Sequence, residues 1–260
     1  MQYLDKQNRF TDGIKAIEGL DQEALTTASI AEIYSGLLFA DNLFNEAVKV
    51  LEQIDPAELE NDVALTARIN SKLETYQGIA KRWDNEEALR EVEEAADDLP
   101  RATIITSKGL IIVELFEDHA ENTVANFINL AESGYYDGTR FHRVLPKFMI
   151  QGGDPNSREG ASGAPGTGGP GYTIADEHFG DEIREHFAGT LSMAKSPAPH
   201  SAGSQFFLTH LPTPDLDGRH TVFGRVVGGL DVVERIENVP VNGETPVERV
   251  AVRRVVVISP

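Results

Sequence analysis

With 260 residues and a formal net charge of −19, from 23 Lys and Arg against 42 Asp and Glu, the chain has room for one large or two ordinary domains. Its acidity argues against nucleic acid or an anionic membrane as a main partner. Cysteine is absent, which excludes disulfides, zinc–thiolate sites and thiol nucleophiles. No apolar run reaches the roughly 18 residues of a membrane span. Met1-Gln2-Tyr3-Leu4-Asp5 lacks the charged and apolar regions of a signal peptide, which leaves the compartment open between cytoplasm and export.

The first hundred residues carry nine Lys and Arg against 22 Asp and Glu, so about −13 of the charge lies there. Pro56 is their one proline before Leu99-Pro100, and the pattern is helical throughout. Ile30, Ile33, Tyr34, Leu37 and Leu38 share one face, as do Phe44, Ala47, Val48, Leu51 and Ile54. Asp55-Pro56 ends that segment. A longer periodic run carries Val63, Leu65, Ile69, Leu73, Tyr76 and Ile79, and a last helix is expected from about Asn85 with Ala88, Leu89, Val92 and Ala95 apolar. The expected architecture is an acidic all-α domain over 1–98, a plain bundle or a degenerate tetratricopeptide-like helix pair. It offers a surface through which a protein partner could be recruited. The acidic run Glu91 to Leu99 followed by Pro100 reads as a helix end and a linker.

Beyond Pro100 glycine and Val/Ile runs dominate. Thr103 to Thr106 and Leu110 to Phe116, joined by Ser107-Lys108-Gly109, form a hairpin pattern. Glu121 and Asn122 open a helix with Val124, Phe127, Ile128 and Ala131 on one face, stopped by Gly134. Strands are expected around 140–144, 147–152, 190–194, 205–209 and 221–226, then a helix from Asp231 to Glu237 and a final strand from Arg249 to Ile258. Many strands, two isolated helices and no βαβ alternation predict a mainly-β domain over 101–260, built as an antiparallel barrel.

Three runs inside this domain carry chemistry. The first is Phe141-His142-Arg143-Val144 followed by Phe148-Met149-Ile150-Gln151-Gly152-Gly153-Asp154. An arginine within a strand pattern is unusual, because a buried guanidinium needs partners or a ligand. The second runs from Leu191-Ser192-Met193-Ala194 to Gly203-Ser204-Gln205-Phe206-Phe207, and the third from Leu216-Asp217-Gly218-Arg219-His220 to Gly224. Singly, Phe148, Met149, Phe206 and Phe207 read as core, Arg143 as a surface ion-pair residue and His220 as structural. Together, in this order, they resemble the binding face of cyclophilin-type peptidyl-prolyl cis–trans isomerases. The resemblance implies a cyclophilin-like closed eight-stranded antiparallel barrel with two capping helices.

It also implies a chemistry. Rotation about an X–Pro bond faces a barrier of about 18–20 kcal/mol because the nitrogen lone pair is delocalised, so uncatalysed exchange takes on the order of tens to hundreds of seconds. A catalyst needs no nucleophile, metal or other cofactor. It holds the proline ring, anchors the flanking backbone and favours the twisted state. Carried over from the family, Arg143 is the donor to the prolyl nitrogen. Phe148, Met149, Phe207 and Leu216 form the proline pocket, with His220 on its wall. Gln151 holds Arg143 and the substrate carbonyl, the backbone at Lys195 grips the substrate chain, and Ala194 and Gln205 complete the groove. The expected function is isomerisation of X–Pro bonds in protein substrates during folding. The alternative is a catalytically weak module or co-chaperone that binds proline segments while its helical domain recruits partners.

Gly166 to Gly171 formally satisfies G-x-G-x-x-G, but it contains Pro170 and lacks the strand before and the helix after that a dinucleotide site requires. It reads instead as part of a long loop, Gly152 to Gly171, of the kind seen in bacterial cyclophilins. The histidines include His178 and His186 but no metal-binding spacing, and no metal is expected. Asp215 stands where the best-known eukaryotic members carry tryptophan, five positions before His220. Losing that indole removes a flat contact and a donor, which predicts weak binding of cyclosporin. The loop Pro197 to Ala202 is one residue longer than the common form.

Overall fold

The computed structural model describes residues 9–60, 62–180 and 183–258, which divide between two compact units at about Ala95 and Ala96.

The first unit holds α1 (Arg9–Glu18), α2 (Gln22–Leu25), α3 (Ala28–Ala40), α4 (Phe44–Glu52), α5 (Pro56–Leu59) and α6 (Val63–Ala96). Asn42, at φ 61, turns the chain out of α3. The Leu43 and Asn42 N–H groups donate back to the Leu38 and Phe39 carbonyls at 2.9 and 3.2 Å, satisfying a helix end that would otherwise leave bare acceptors. Asp55 and Pro56 open α5, with Ala57 N–H donating to Asp55 Oδ1 at 2.9 Å. The core joins Ile14, Ala28, Ala31, Leu38, Ala47, Leu51, Ile54, Ile69 and Tyr76, and Phe39 stacks on Tyr76 with centroids 4.2 Å apart.

Two expectations for this unit fail. Residues 63–96 form one helix, not two. The Asp84–Asn85 pair looks like a helix start, but the Asp84 carboxylate receives Asn45 Nδ2 at 3.1 Å instead of capping a new helix. The stripe of Ala88, Leu89, Val92 and Ala95 is exposed, with Val92 at 68%. The face of α3 is also rotated from the expected one. Ala28, Ala31, Ser35 and Leu38 are its buried line, and Ile33 is 57% exposed. In so apolar a helix, hydropathy does not choose the side that small residues allow α1 and α4 to approach closely.

Burial pushes the Asp41 carboxyl up to about 6, and its place at the carbonyl end of α3 adds to the cost of its negative charge. The folded-state value lies above the unfolded one. The cost is therefore absent below the ordinary carboxylate range and fully present above about pH 6. Asp41→Asn is expected to raise the melting temperature by a few degrees at pH 7 and much less at pH 4. An equal gain at both pH values in thermal denaturation would contradict this assignment.

The second unit is a barrel. Its strands are β1 (Arg101–Thr106), β2 (Leu110–Leu115), β3 (Arg143–Leu145), β4 (Met149–Gly152), β5 (Thr190–Met193), β6 (Phe206–Thr209), β7 (Val222–Gly228) and β10 (Val252–Ile258), with a separate small hairpin of β8 (Val241–Asn242) and β9 (Thr245–Pro246). The eight run β10-β1-β2-β7-β5-β6-β4-β3, and every described pairing is antiparallel. Closure comes from the residues leading into β3. Gly138 and Phe141 N–H donate to the Val252 and Val250 carbonyls at 2.9 and 3.0 Å, and Val252 N–H donates to Thr139 O at 2.8 Å. The predicted eight-stranded closed barrel is thus realised. The β8–β9 hairpin is an addition that the hydrophobic pattern did not mark.

Helices α7 (Glu121–Glu132) and α8 (Leu230–Glu237) cover the barrel, burying Val124, Phe127, Leu130 and Ala131 from one and Val232, Val233 and Ile236 from the other. Gly134 ends α7 at φ 72, and Tyr135 N–H donates to Leu130 O at 2.9 Å across it. The start of α7 is capped from a distance. Asn122 and Thr123 N–H donate to the Glu177 carboxylate at 3.0 and 2.9 Å. Burial raises the pKa of that carboxyl, but a bond from the Thr123 hydroxyl at 2.6 Å, together with these two, outweighs it and holds the value below normal. At the barrel centre Phe206 is fully buried with Phe127, Tyr136 and Phe141 around it at centroid distances of 5.7, 5.6 and 6.3 Å. No helix among the described residues is long and apolar enough to cross a membrane.

Candidate active site

Strand register explains why the three sequence runs converge. Arg143 on β3 pairs with Gln151 on β4, Gln151 with Phe207 on β6, and Phe207 with Ser192 on β5. Residues paired across neighbouring strands point to the same face, so Arg143, Gln151 and Phe207 form one row on the outside of the barrel. Met149 lies two residues from Gln151 and joins that face, while Val144, Ile150 and Phe206 alternate into the core.

Over this row lies a groove of about 690 Å³. All ten residues expected from the sequence line it: Arg143, Phe148, Met149, Gln151, Ala194, Lys195, Gln205, Phe207, Leu216 and His220. Asp215 does not. It is exposed in the short 3₁₀ turn Pro214–Leu216 that carries Leu216 to the rim.

A chain of amides runs along the groove. Arg143 Nη1 approaches Gln151 Oε1 at 3.4 Å, and Gln151 Nε2 donates to Gln205 Oε1 at 2.9 Å. Gln205 Nε2 donates in turn to the Gly166 and Gly168 carbonyls at 3.1 and 2.9 Å. The glycine run therefore forms one wall of the groove. Its other anchor is the buried carboxylate of Asp154, which accepts from Asn156 N–H at 2.7 Å and from Gly166 N–H.

The apolar end is built around Phe207. His220 meets it edge-on at 5.5 Å and His186 stacks beneath it at 5.8 Å, with ring planes 6° apart. Burial lowers the pKa of His220, so its ring is neutral near pH 7. Nδ1 lies 2.9 Å from the Met193 carbonyl and must donate to it, which leaves Nε2 without a proton. His186 is fixed at both nitrogens, 2.9 Å from Asp217 Oδ1 and 3.0 Å from Ser192 Oγ. It braces the turn that carries Leu216. At the far rim the Lys195 ammonium is turned away to Asp176, 2.8 Å distant, while Ala194 N–H donates to Gln205 O at 2.9 Å.

Among the lining or supporting residues that escaped the sequence, His142, His186 and Glu244 are titratable. His142 faces the groove beside Arg143, and burial depresses its pKa. His186 gives support from within the wall. Glu244 reaches in from the turn between β8 and β9 and pairs with Arg143, Oε2 accepting from Nε at 2.5 Å. Arg143 holds the Glu244 carboxyl below the usual range. The Asn242-Gly243 pair was the available sign of that hairpin.

Comparisons with known proteins agree with this geometry. The profile of the family described as cyclophilin type peptidyl-prolyl cis-trans isomerase matches residues 101–257. Peptidyl-prolyl cis-trans isomerase-like 1 of Aspergillus oryzae is 48% identical over 159 residues, covering 59% of this chain and 92% of that protein. Peptidyl-prolyl cis-trans isomerase ppi1 of Schizosaccharomyces pombe is 50% identical over 135 residues, covering 50% of this chain and 81% of that protein. The crystal structure of a Cryptosporidium parvum cyclophilin type isomerase superposes with a TM-score of 0.57 at 33% identity, covering 62% of this chain and 99% of that one. These relatives are fungal and the structure protozoan, so the bacterial likeness expected of the long loop gains no support from them. By its barrel and the match of residues 101–257, the chain belongs to the cyclophilin-type peptidyl-prolyl cis–trans isomerases.

Proposed function

We propose that the groove isomerises X–Pro bonds by holding the proline ring between Phe148, Met149, Phe207 and Leu216 while Arg143 donates to the prolyl nitrogen. That nitrogen has no lone pair to offer in the planar amide and gains one as the bond twists. The donor therefore stabilises the twisted state more than either planar state, which is what lowers the barrier. Gln151 steadies the guanidinium and donates toward the substrate carbonyl. Neutral His220 closes the pocket wall without adding charge. Ala194, the Lys195 backbone and Gln205 receive the chain flanking the proline.

The single observation carrying this reading is the cross-strand row Arg143–Gln151–Phe207, which sets a groove-lining arginine next to an apolar pocket. Line-shape exchange measurements on a proline peptide, with wild type and Arg143→Ala, test it. The crystal structure of the Cryptosporidium parvum protein was also determined in the presence of the dipeptide Ala-Pro, and an X-Pro unit of that size suits the pocket proposed here.

Asp215 takes the place of the family's tryptophan on the Leu216 turn and brings charge instead of an indole. Cyclosporin is expected to bind far more weakly than nanomolar, measured by fluorescence or calorimetric titration. A nanomolar dissociation constant would refute this. The helical domain, 1–98, is proposed to recruit a protein partner or client, its acidic surface favouring a basic one.

A further inference from the structure

Among the described residues that line the groove, Glu244 carries the one carboxylate. It is the second residue of the two-residue turn between Asn242 and Thr245. Gly243 precedes it at φ 63, the backbone that a hairpin of this type demands at its first turn position. The turn is tied to the barrel because Val144 N–H donates to the Glu244 carbonyl at 2.7 Å. The backbone of Glu244 is thereby fixed beside the residue that follows Arg143.

From that position Glu244 grips one edge of the guanidinium. Nε donates to Oε2 at 2.5 Å and Nη2 reaches Oε1 at 3.4 Å. Nη1 is turned the other way, toward Gln151, at a distance too long for a strong bond. The two side chains are 40% and 51% exposed, so the pair adds little to stability, about 0–1 kcal/mol. Its larger consequence is geometric. Arginine presents its donors in a rigid planar fork on a flexible stem, and holding the Nε–Nη2 edge fixes the plane of that fork.

We propose that Glu244 is a positioning residue, which clamps Arg143 by its Nε–Nη2 edge so that Nη1 is presented to the prolyl nitrogen. The inference rests on Arg143 being the donor. The clamp prepares the site and does not compete with substrate, because the edge it occupies is not the one offered to the groove.

The test compares the full chain with Glu244→Ala, Glu244→Gln and Arg143→Ala in saturating exchange kinetics on one proline peptide. Glu244→Ala is expected to lower kcat on the order of tenfold with KM held within about twofold, as for a misaligned catalytic group. Glu244→Gln, which keeps an oxygen for Nε, should fall between it and wild type. The Arg143 Nε–H resonance should lose its low-field shift in Glu244→Ala and keep part of it in Glu244→Gln. An unchanged or faster kcat in Glu244→Ala, with Arg143→Ala still impaired, overturns the clamp alone. If Arg143→Ala itself keeps the wild-type rate, the donor reading falls first and takes the clamp with it.

Discussion

Arg143→Ala is expected to lower kcat/KM by about 2–4 kcal/mol of transition-state stabilisation, on the order of 30- to 1000-fold. The magnitude follows from removing one preorganised donor whose partner, the prolyl nitrogen, accepts only in the twisted state. The loss should appear in kcat more than in KM, because the planar substrate offers that nitrogen no lone pair for Arg143 to meet. Stability should barely move, since the Arg143 side chain is 40% exposed and its ion pair is a surface one. Arg143→Lys should rescue little. An ammonium keeps the charge but cannot be held by one edge while presenting another. An Arg143→Ala protein with a normal melt and a wild-type exchange rate would remove Arg143 from the chemistry.

Phe206→Ala is expected to cost about 3–5 kcal/mol of stability in the barrel unit, the range for deleting a buried aromatic ring. Phe206 is fully buried and central to a cluster with Phe127, Tyr136 and Phe141, so the vacated space has several rigid walls and little means to collapse. Its chain neighbours are Gln205, just before β6, and Phe207 on it, so the groove should weaken along with the fold. The measurement is a denaturant midpoint followed by a barrel-specific signal, with the slope unchanged. A shift worth less than about 1 kcal/mol would mean that the core repacks around the loss.

The barrel was legible because short Val- and Ile-rich runs follow one another with no βαβ alternation, because β1 alternates between buried and half-buried positions, and because Gly134 announces the end of α7. The ten groove residues were legible as a set only through their likeness to a family. Periodicity alone would have assigned Phe148, Met149 and Phe207 to the interior. What stayed hidden has a common physical character. Glu177 capping α7, Glu244 gripping Arg143 and His186 supporting Phe207 are each contacts between residues far apart in sequence, made by polar side chains that leave no periodic trace. The continuous α6 was missed for a different reason. Asp and Asn serve equally as helix starters and as ordinary surface residues, and nothing local distinguishes the two uses.

The closure of the barrel has a consequence for the way this chain is made. Arg101, in the first strand, finds Ile258 of the last strand as its neighbour, and the bonds from Gly138 and Phe141 that seal the other side also wait for Val250 and Val252. On the ribosome, at about 5–20 residues per second, β1 spends on the order of ten seconds paired with β2 alone, its other edge bare. That edge is rich in isoleucine and threonine, the composition most inclined to pair with a stranger. Until the last strand emerges, an isomerase of X–Pro bonds is itself held open by a wait it cannot catalyse.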